Sequence, residues 1–464
     1  MYDQLITWKL LTVAIAIGGG LYVFQKSLTS RHQRQFLYFF VAGLTLWSGI
    51  GSAWGIVVDL YLWMFIGFFF LFGITFVLSS RVLNNISPSI EFSRDNFAFN
   101  PTFWKCFIIF YLILSTFPLI YPEFKIGKLL RPPAPDIMTM VEERLGGKSY
   151  TALERLVYYC KVLFFPFFLF ALHALGRKLW LVGLTIFLYF YTDYCNTEYI
   201  SRHEVGLLFL LLFQYAWHFQ IIPKSVLVIA SLLALPPFII FLNIYVHLRL
   251  GAGMPAAFDI SGLVSSLVTL FYQETAYPIR ISDMITSNYI QEDISRYFLW
   301  IISLPIPQQL TVDWDFMNVG HEFTEYALGG VYGQTVTHII LPGLVGESIF
   351  IYGTTLWWIH PLTIALILSV ICHFLRRDSS LFFVMCYFQL KAFLVGRAGF
   401  GIFLILSVNY MLIFWAFLAF LIYKSKGATH PRGPKYMPQD GLEISTSKPI
   451  PRPPPSSDPN WTEV

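Results

Sequence analysis

The chain has 464 residues, of which 56% are hydrophobic, 18% aromatic and only 12% charged. This composition excludes a soluble globular domain of such length, and the small net charge of +4 argues against a nucleic-acid-binding protein. The five cysteines show no CxxC or Cys/His ligand spacing, so neither a disulfide framework nor a zinc site is expected.

Continuous apolar runs predict an all-α polytopic membrane protein with about eleven spanning helices. A helix needs roughly 18 to 20 apolar residues to cross a bilayer, and several runs reach that length. The runs do not alternate in polarity, which favours helices over a barrel. The predicted spans are 5–25, 36–58, 61–80, 104–121, 156–175, 178–194, 204–221, 225–246, 348–374, 379–396 and 398–423. The first lacks a basic leader and a cleavage site, which indicates a retained helix rather than a signal peptide.

Basic residues in short loops predict the orientation of these helices. Arg81 follows the third predicted helix, Arg177 the fifth, Arg376 the ninth and Lys424 the last. Cytoplasmic loops carry an excess of Lys and Arg, so these loops are expected to face the cytoplasm. The N-terminus is then expected outside and the C-terminus inside.

Two long loops are predicted on the outer side, at 122–155 and 247–347, before a tail at 424–464. The second, here called the large loop, is acidic overall, and loops of such length are usually functional. The tail is rich in Pro, Ser and charge, which predicts a disordered cytoplasmic segment. The integral membrane domain is therefore expected to comprise residues 1–423.

Three arginines are expected at the outer surface. Arg202 lies in EYISRHEVGLL, Arg280 lies in ETAYPIRISDM within the large loop, and Arg397 lies in FLVGRAGFGIF between the last two predicted helices. The guanidinium group is a fixed fork of donors that suits phosphate oxygens, so the three together predict a pyrophosphate site. For each arginine alone, anchoring to lipid headgroups is an equally good interpretation.

A candidate base lies at the end of the large loop. His338 and Glu347 flank ILPGLVG just before the ninth predicted helix, and either could accept a proton from a reacting hydroxyl. His321 competes for this role, and Tyr277, beside Arg280, is a further secondary candidate. An isolated histidine is more often structural. The sequence shows no metal-binding motif, and no cofactor is expected.

Three short stretches resemble the Wzy-type polymerases of bacterial surface polysaccharides, which are related to O-antigen ligases. THIILPGLVGESIFIYG (337–353) is similar to the stretch with which that family opens a late helix. LVGRAGFGIFLILSVNYMLIF (394–414) resembles its Arg-Gly turn, with Ala398 where glycine is common. YISRHEVGLL (199–208) resembles its mid-chain Ser-Arg step. The order of many helices, one large outer loop and a few closing helices also agrees.

This resemblance implies a metal-independent glycosyltransferase of GT-C-like architecture in the bacterial cytoplasmic membrane, with its active site facing outward. It would transfer a growing glycan from undecaprenyl pyrophosphate onto a sugar hydroxyl of a lipid-linked repeat unit. The product would be O-antigen, capsule or exopolysaccharide. Arg202 and Arg280 would bind the pyrophosphate with help from Arg397, and His338 or Glu347 would be the base. Implied partners are membrane lipid, a flippase and a chain-length regulator, and no nucleic acid.

Two alternatives remain open on the sequence. An O-antigen ligase would perform the same chemistry on a different acceptor. A flippase or transporter of lipid-linked oligosaccharide would place polar residues and broken helices near the membrane midplane. The apolar interiors of the predicted helices favour an enzyme over a transporter.

Overall fold

The computed structural model describes thirteen stretches of the chain. The described residues are 2–53, 57–86, 101–117, 127–132, 152–176, 178–197, 202–218, 221–234, 278–289, 293–304, 313–331, 340–376 and 382–404, with 237, 306 and 310. Every regular element within these ranges is helical. The all-α class predicted from the sequence is therefore confirmed for this part of the chain. The predicted tail at 424–464 and most of the loop at 122–155 lie outside it.

Helices follow one another closely along the chain. They are α1 (Tyr2–Ser27), α2 (Arg31–Leu44), α3 (Asp59–Ile86), α4 (Pro101–Thr116), α5 (Gly127–Leu130), α6 (Ala152–Ala174), α7 (Leu179–Ile186), α8 (Thr192–Thr197) and α9 (Arg202–His218). They continue as α10 (Lys224–Ala234), α11 (Pro278–Thr286), α12 (Ser295–Ser303), α13 (Val319–Leu328), α14 (Gly343–Leu356), α15 (Ile359–Leu375), α16 (Phe382–Ala398) and α17 (Phe400–Leu404). Two π-helical segments, Thr45–Gly49 and Phe187–Tyr191, extend α2 and join α7 to α8.

Within the part of the chain that the structure describes, two helices are long and apolar enough to cross a membrane, Ile6–Ser27 and Asp59–Ile86. Further apolar helices in the described ranges are shorter, among them Thr102–Thr116, Cys160–His173 and Ile359–Leu375. These helices support a helical membrane protein. The number of eleven spans stays a prediction, and the predicted spans 225–246 and 398–423 are described only in part.

Glycines bring α2 and α16 into close contact along their length. A Cβ atom on Gly43 would lie 2.0 Å from the carbonyl oxygen of Phe393, and one on Gly396 would lie 2.4 Å from the backbone nitrogen of Leu44. Small residues at such positions let helix backbones approach, which is how helices pack when no hydrophobic driving force acts between them. The two helices therefore form a central pair of the bundle.

Aromatic side chains fill the other helix contacts. On α3, Phe72 stacks against Phe40 of α2 with ring centroids 3.8 Å apart. On α4, Tyr111 stacks against Phe168 of α6 at 4.9 Å, and its hydroxyl donates to the carbonyl oxygen of Lys161 at 2.7 Å. The Phe-rich runs of the sequence are therefore core packing in this part of the fold.

Polar contacts at one end of α3 define what we call the Asn84 end of the bundle. Arg376, at the end of α15, donates through Nη1 to the Asn84 side-chain oxygen at 3.2 Å. Arg81 donates through Nε to the carbonyl oxygen of Ser27, at the end of α1. Basic residues expected on the cytoplasmic side thus gather at this end.

The opposite end of α3 is here called the Asp59 end. Lys9 of α1 forms an ion pair with Asp59 at 2.8 Å. The backbone N–H of Val58 donates to the hydroxyl of Ser282 on α11 at 3.1 Å. This bond attaches the first described helix of the large loop to the Asp59 end.

The large loop ends earlier than the sequence predicts. Helix α14 begins at Gly343, so Glu347 lies inside a helix rather than in the loop before it. The predicted span 348–374 is broken into α14 and α15, and Gly353 has non-helical angles (φ 70°, ψ −177°) that only glycine adopts readily. Thr354 and Thr355 follow Gly353, so a short polar interruption marks this position within an otherwise apolar run.

Candidate functional site

Glu347 of α14 holds the turn between α16 and α17. Its side chain is 1% exposed. Oε1 accepts a hydrogen bond from the N–H of Gly401 at 2.7 Å, and Oε2 accepts one from the N–H of Phe400. The first N–H groups of a helix have no intrahelical acceptor and favour negative charge nearby. Glu347 therefore caps the start of α17 across 53 residues of sequence.

The two hydrogen bonds from Phe400 and Gly401 use both oxygens of the Glu347 carboxyl group. Only an ionised carboxylate is an acceptor at both oxygens. The pair of hydrogen bonds from the turn to Glu347 is therefore strongest when Glu347 is deprotonated.

The turn requires glycine for two physical reasons. Gly399 has φ +103°, which side chains with a Cβ atom rarely adopt. A Cβ atom there would also lie 2.6 Å from Oε2 of Glu347, and one on Gly401 would lie 2.8 Å from Oε1. The absence of side chains at both positions is what lets a buried carboxylate reach the backbone.

Arg397 precedes this turn at the end of α16. Its guanidinium carbon lies 4.7 Å from the ring centroid of Trp47, within cation–π range. Trp47 belongs to the π-helical segment that extends α2, and its ring packs edge-on against Phe393 at 5.4 Å. The Arg397 side chain is half-buried. Its orientation is thus set by an aromatic face on one side and by the glycine turn behind it.

A buried Ser–His contact lies beside Glu347. The hydroxyl of Ser348 is 2.9 Å from Nδ1 of His360, at the start of α15, and both side chains are at most 1% exposed. The His360 ring lies between Tyr352 and Phe400, with centroids 5.6 and 6.2 Å away. This contact ties α14, α15 and α17 together next to the Glu347 cap.

Arg280 lies on the exposed side of α11. Its side chain is 57% exposed and forms a long ion pair with Asp283, with Nη1 and Oδ2 3.7 Å apart. The next residue, Ile281, is buried, and its Cδ1 atom would lie 2.8 Å from a Cβ atom on Gly346 of α14. Arg280 therefore faces away from the packed side of a helix that rests directly on α14.

His321 lies in the first turn of α13, half-buried, where its N–H donates to the cap residue Asn318. Burial lowers the pKa of His321, and the carboxylate of Glu325 opposes that shift. The next residue, Glu322, is fixed by Arg296 of α12 at 3.0 Å. Helix α13 packs against α14 and α17.

The other predicted site residues have no described side-chain environment. Arg202 is the first residue of α9, but nothing is described of its side chain. His338 and Tyr277 lie outside the described residues. The site brings together the helices that bear Arg280, His321, Glu347 and Arg397, because α11, α13 and α16 each pack on α14. Sequence reasoning did not identify Trp47, which is one of many aromatic residues in its run.

Sequence reasoning also missed a buried ion pair inside the bundle. Nζ of Lys161 on α6, 1% exposed, lies 2.7 Å from Oδ1 of Asp193 on α8 and 4.5 Å from the ring centroid of Tyr189. The interiors of the predicted helices are therefore less apolar than their composition suggested. A lysine within an otherwise apolar run was the available signal.

No protein-family model, curated protein or solved structure matches this chain.

Proposed function

We propose that this chain is a polymerase of lipid-linked oligosaccharide repeat units. The observation that supports it best is the gathering of α11, α13 and α16 on α14. Helices of the large loop, bearing Arg280 and His321, meet the helices that bear Glu347 and Arg397. Candidate phosphate ligands and candidate bases far apart in sequence thus belong to one packed unit, attached to the Asp59 end through Ser282.

The proposed reaction is a displacement at the anomeric carbon of the donor glycan. The bond from that carbon to undecaprenyl pyrophosphate breaks, and a bond forms to a sugar hydroxyl of the incoming lipid-linked repeat. The hydroxyl proton goes to a base, for which His338 and His321 are the candidates. Arg202, Arg280 and Arg397 would stabilise the charge that develops on the leaving pyrophosphate, without a metal or other cofactor.

The proposal includes a setting and partners. The chain would be a GT-C-like protein of about eleven spans in the bacterial cytoplasmic membrane, with the Asp59 end facing outward. The oligosaccharide would arrive on undecaprenyl pyrophosphate from a flippase, and a chain-length regulator would act on the product.

Deletion of the gene tests this function directly on a gel of the surface glycan. Loss of long chains with survival of single-repeat chains is expected for a polymerase. Loss of every attached repeat would refute it in favour of a ligase or flippase, and the ligase would be recognised by transfer to lipid A. Arg280→Ala is expected to abolish most polymerisation by the purified protein, because Arg280 is exposed and pairs only at 3.7 Å with Asp283.

A lipid-linked oligosaccharide transporter is the second candidate, and two observations favour it. Lys161 and Asp193 form a charged pair inside the bundle, and Gly353 breaks the helix that the sequence predicts as one span. Intramembrane charges and broken helices are features of transporters. Movement of a fluorescent lipid-linked oligosaccharide across liposomes containing the purified chain, without polymerisation, would favour this function.

A further inference from the structure

We propose that Glu347 is a positioning residue that orients Arg397, and not the base of the reaction. This inference rests on the proposed function and concerns how its phosphate-binding arginine is held. The sequence places Glu347 beside His338 and so suggests proton transfer for both. The contacts of Glu347 indicate a different task.

Glu347 is not accessible to an acceptor hydroxyl in this structure. Glu347 is 1% exposed, and each carboxylate oxygen already accepts a backbone N–H, from Gly401 and from Phe400. A general base must come within hydrogen-bond reach of the proton that it removes. An acceptor hydroxyl would have to displace one of these bonds and enter a packed junction.

The two hydrogen bonds to Glu347 hold the start of α17. Phe400 and Gly401 begin α17, two and three residues after Ala398 ends α16. Gly399 lies between the end of α16 and the start of α17, and its φ of +103° makes the chain turn sharply. Both bonds therefore act on the short turn that directly follows Arg397.

Trp47 holds the side chain of Arg397, on the side away from the glycine turn. Its guanidinium carbon lies 4.7 Å from the Trp47 ring centroid, and the carbonyl oxygen of Arg397 would lie 3.8 Å from a Cβ atom on Gly343, at the start of α14. Glu347 lies one helical turn further along α14. Gly343, at the start of α14, thus lies near the Arg397 carbonyl, and Glu347 of the same helix fixes the following turn.

Substitution of Glu347 by Gln tests this role, because it keeps the shape and replaces one acceptor oxygen by an N–H₂ donor facing a backbone N–H. We expect amide hydrogen exchange in the peptide containing Phe400 and Gly401 to become about tenfold faster, since a hydrogen bond to a charged group is lost. Labelling of Arg397 by phenylglyoxal, followed by mass spectrometry, should also become faster. Asp315→Asn removes an exposed carboxylate of the large loop and should change neither readout.

Kinetics then separate positioning from base catalysis. The assay uses lipid-linked oligosaccharide extracted from a strain that lacks the gene, with the full-length chain in detergent. Arg397→Ala is expected to lower kcat about 100-fold, as for loss of one preorganised charge-stabilising donor. Glu347→Gln should lower kcat about tenfold with an unchanged KM, because only the arrangement of Arg397 in the transition state is disturbed. The double variant should stay within about twofold of Arg397→Ala, because both changes act on the same group.

Opposite results overturn the inference. If the losses of kcat in the two single variants multiply in the double variant, Glu347 acts independently of Arg397, as a base would. Unchanged exchange and labelling would show that it does not hold the turn. If Glu347→Gln does not fold, Gly401→Ala replaces it, because a Cβ atom there would lie 2.8 Å from Oε1 of Glu347 and displace the carboxylate. Labelling of Arg397 should rise, and kcat should fall only when Arg397 is present. Faster exchange and labelling with no polymerisation by the unmodified chain would keep the positioning role and refute the proposed function.

Discussion

The buried pair of Lys161 and Asp193 provides the sharpest test of the packing inside the bundle. Asp193→Asn leaves the Lys161 ammonium, 1% exposed, next to a neutral amide. Lys161→Met removes the cation and leaves Asp193, whose side chain is 25% exposed. The double variant Lys161→Met/Asp193→Leu removes both charges.

The expected magnitudes follow from distance and burial. At the observed 2.7 Å between Nζ and Oδ1, Coulomb attraction at an effective dielectric constant of 20 is about 6 kcal/mol. Desolvation of both ions offsets much of this, and breaking a buried pair by removing one partner typically costs about 3–5 kcal/mol. Asp193→Asn should lower the unfolding free energy by an amount near the upper end of this range, because the Lys161 side chain is less exposed than that of Asp193. The double variant should cost less than either single change, since no charge is left buried.

Unfolding of the full-length chain in detergent micelles, followed by loss of helical circular dichroism, measures these free energies. Asp59→Asn is the matched control, because Asp59 pairs with Lys9 at 2.8 Å but is 74% exposed, and Lys9 keeps its bond to the Val57 carbonyl. Its cost should be about 1 kcal/mol or less. Single changes at the buried pair that cost no more than this control, and that add in the double variant, would refute the reasoning.

Three further changes test the fold around the site. Gly43→Ala should lower the unfolding free energy by about 3 kcal/mol, because its Cβ atom would lie 2.0 Å from a backbone oxygen of α16, whereas Gly18→Ala, in open space, should be neutral. Ser282→Ala should cost about 1 kcal/mol and speed hydrogen exchange of α11, because the N–H of Val58 loses its acceptor; unchanged exchange would contradict the attachment of the large loop. Burial lowers the pKa of His321 below its ordinary value of 6.5, so the unfolded state binds more protons. The free energy of unfolding should then be full above pH 6.5 and decline as the pH falls towards the folded-state pKa of His321. His321→Gln should remove this part of the pH dependence of stability. An unchanged pH dependence in that variant would contradict the prediction.

Local pattern was sufficient to place several of the apolar helices approximately. The predicted spans 104–121, 156–175 and 379–396 correspond to α4, α6 and α16. Their apolar composition is a property of each segment alone, so it can be read without knowing the neighbours. The break at Gly353 could not be read in this way, because Gly353, Thr354 and Thr355 interrupt the apolar run only briefly. The backbone angles of Gly353 in the structure show where the chain leaves the helix.

The sequence indicated which residues belong to the candidate site, but not how they are arranged. Arg280 and Arg397 were singled out because charge beside apolar helices is costly and so calls for an explanation. The exposure of Arg280 and the cation–π contact of Arg397 with Trp47 depend on which helix faces are buried. Glu347 was singled out as a proton acceptor, and only its contacts show that both its oxygens bind the backbone of a turn.

The helical class and the approximate bounds of the apolar helices are encoded locally in this chain, because each apolar segment must satisfy its own backbone hydrogen bonds wherever water is excluded. Which polar groups meet is encoded only in the packed molecule. Lys161 pairs with Asp193 across 32 residues of sequence. Glu347 accepts from the N–H of Phe400, at the start of α17, across 53 residues. Such contacts depend on the rotation and register of whole helices, and these follow from the fit of many side chains at once, as the close approach of Gly43 and Phe393 illustrates.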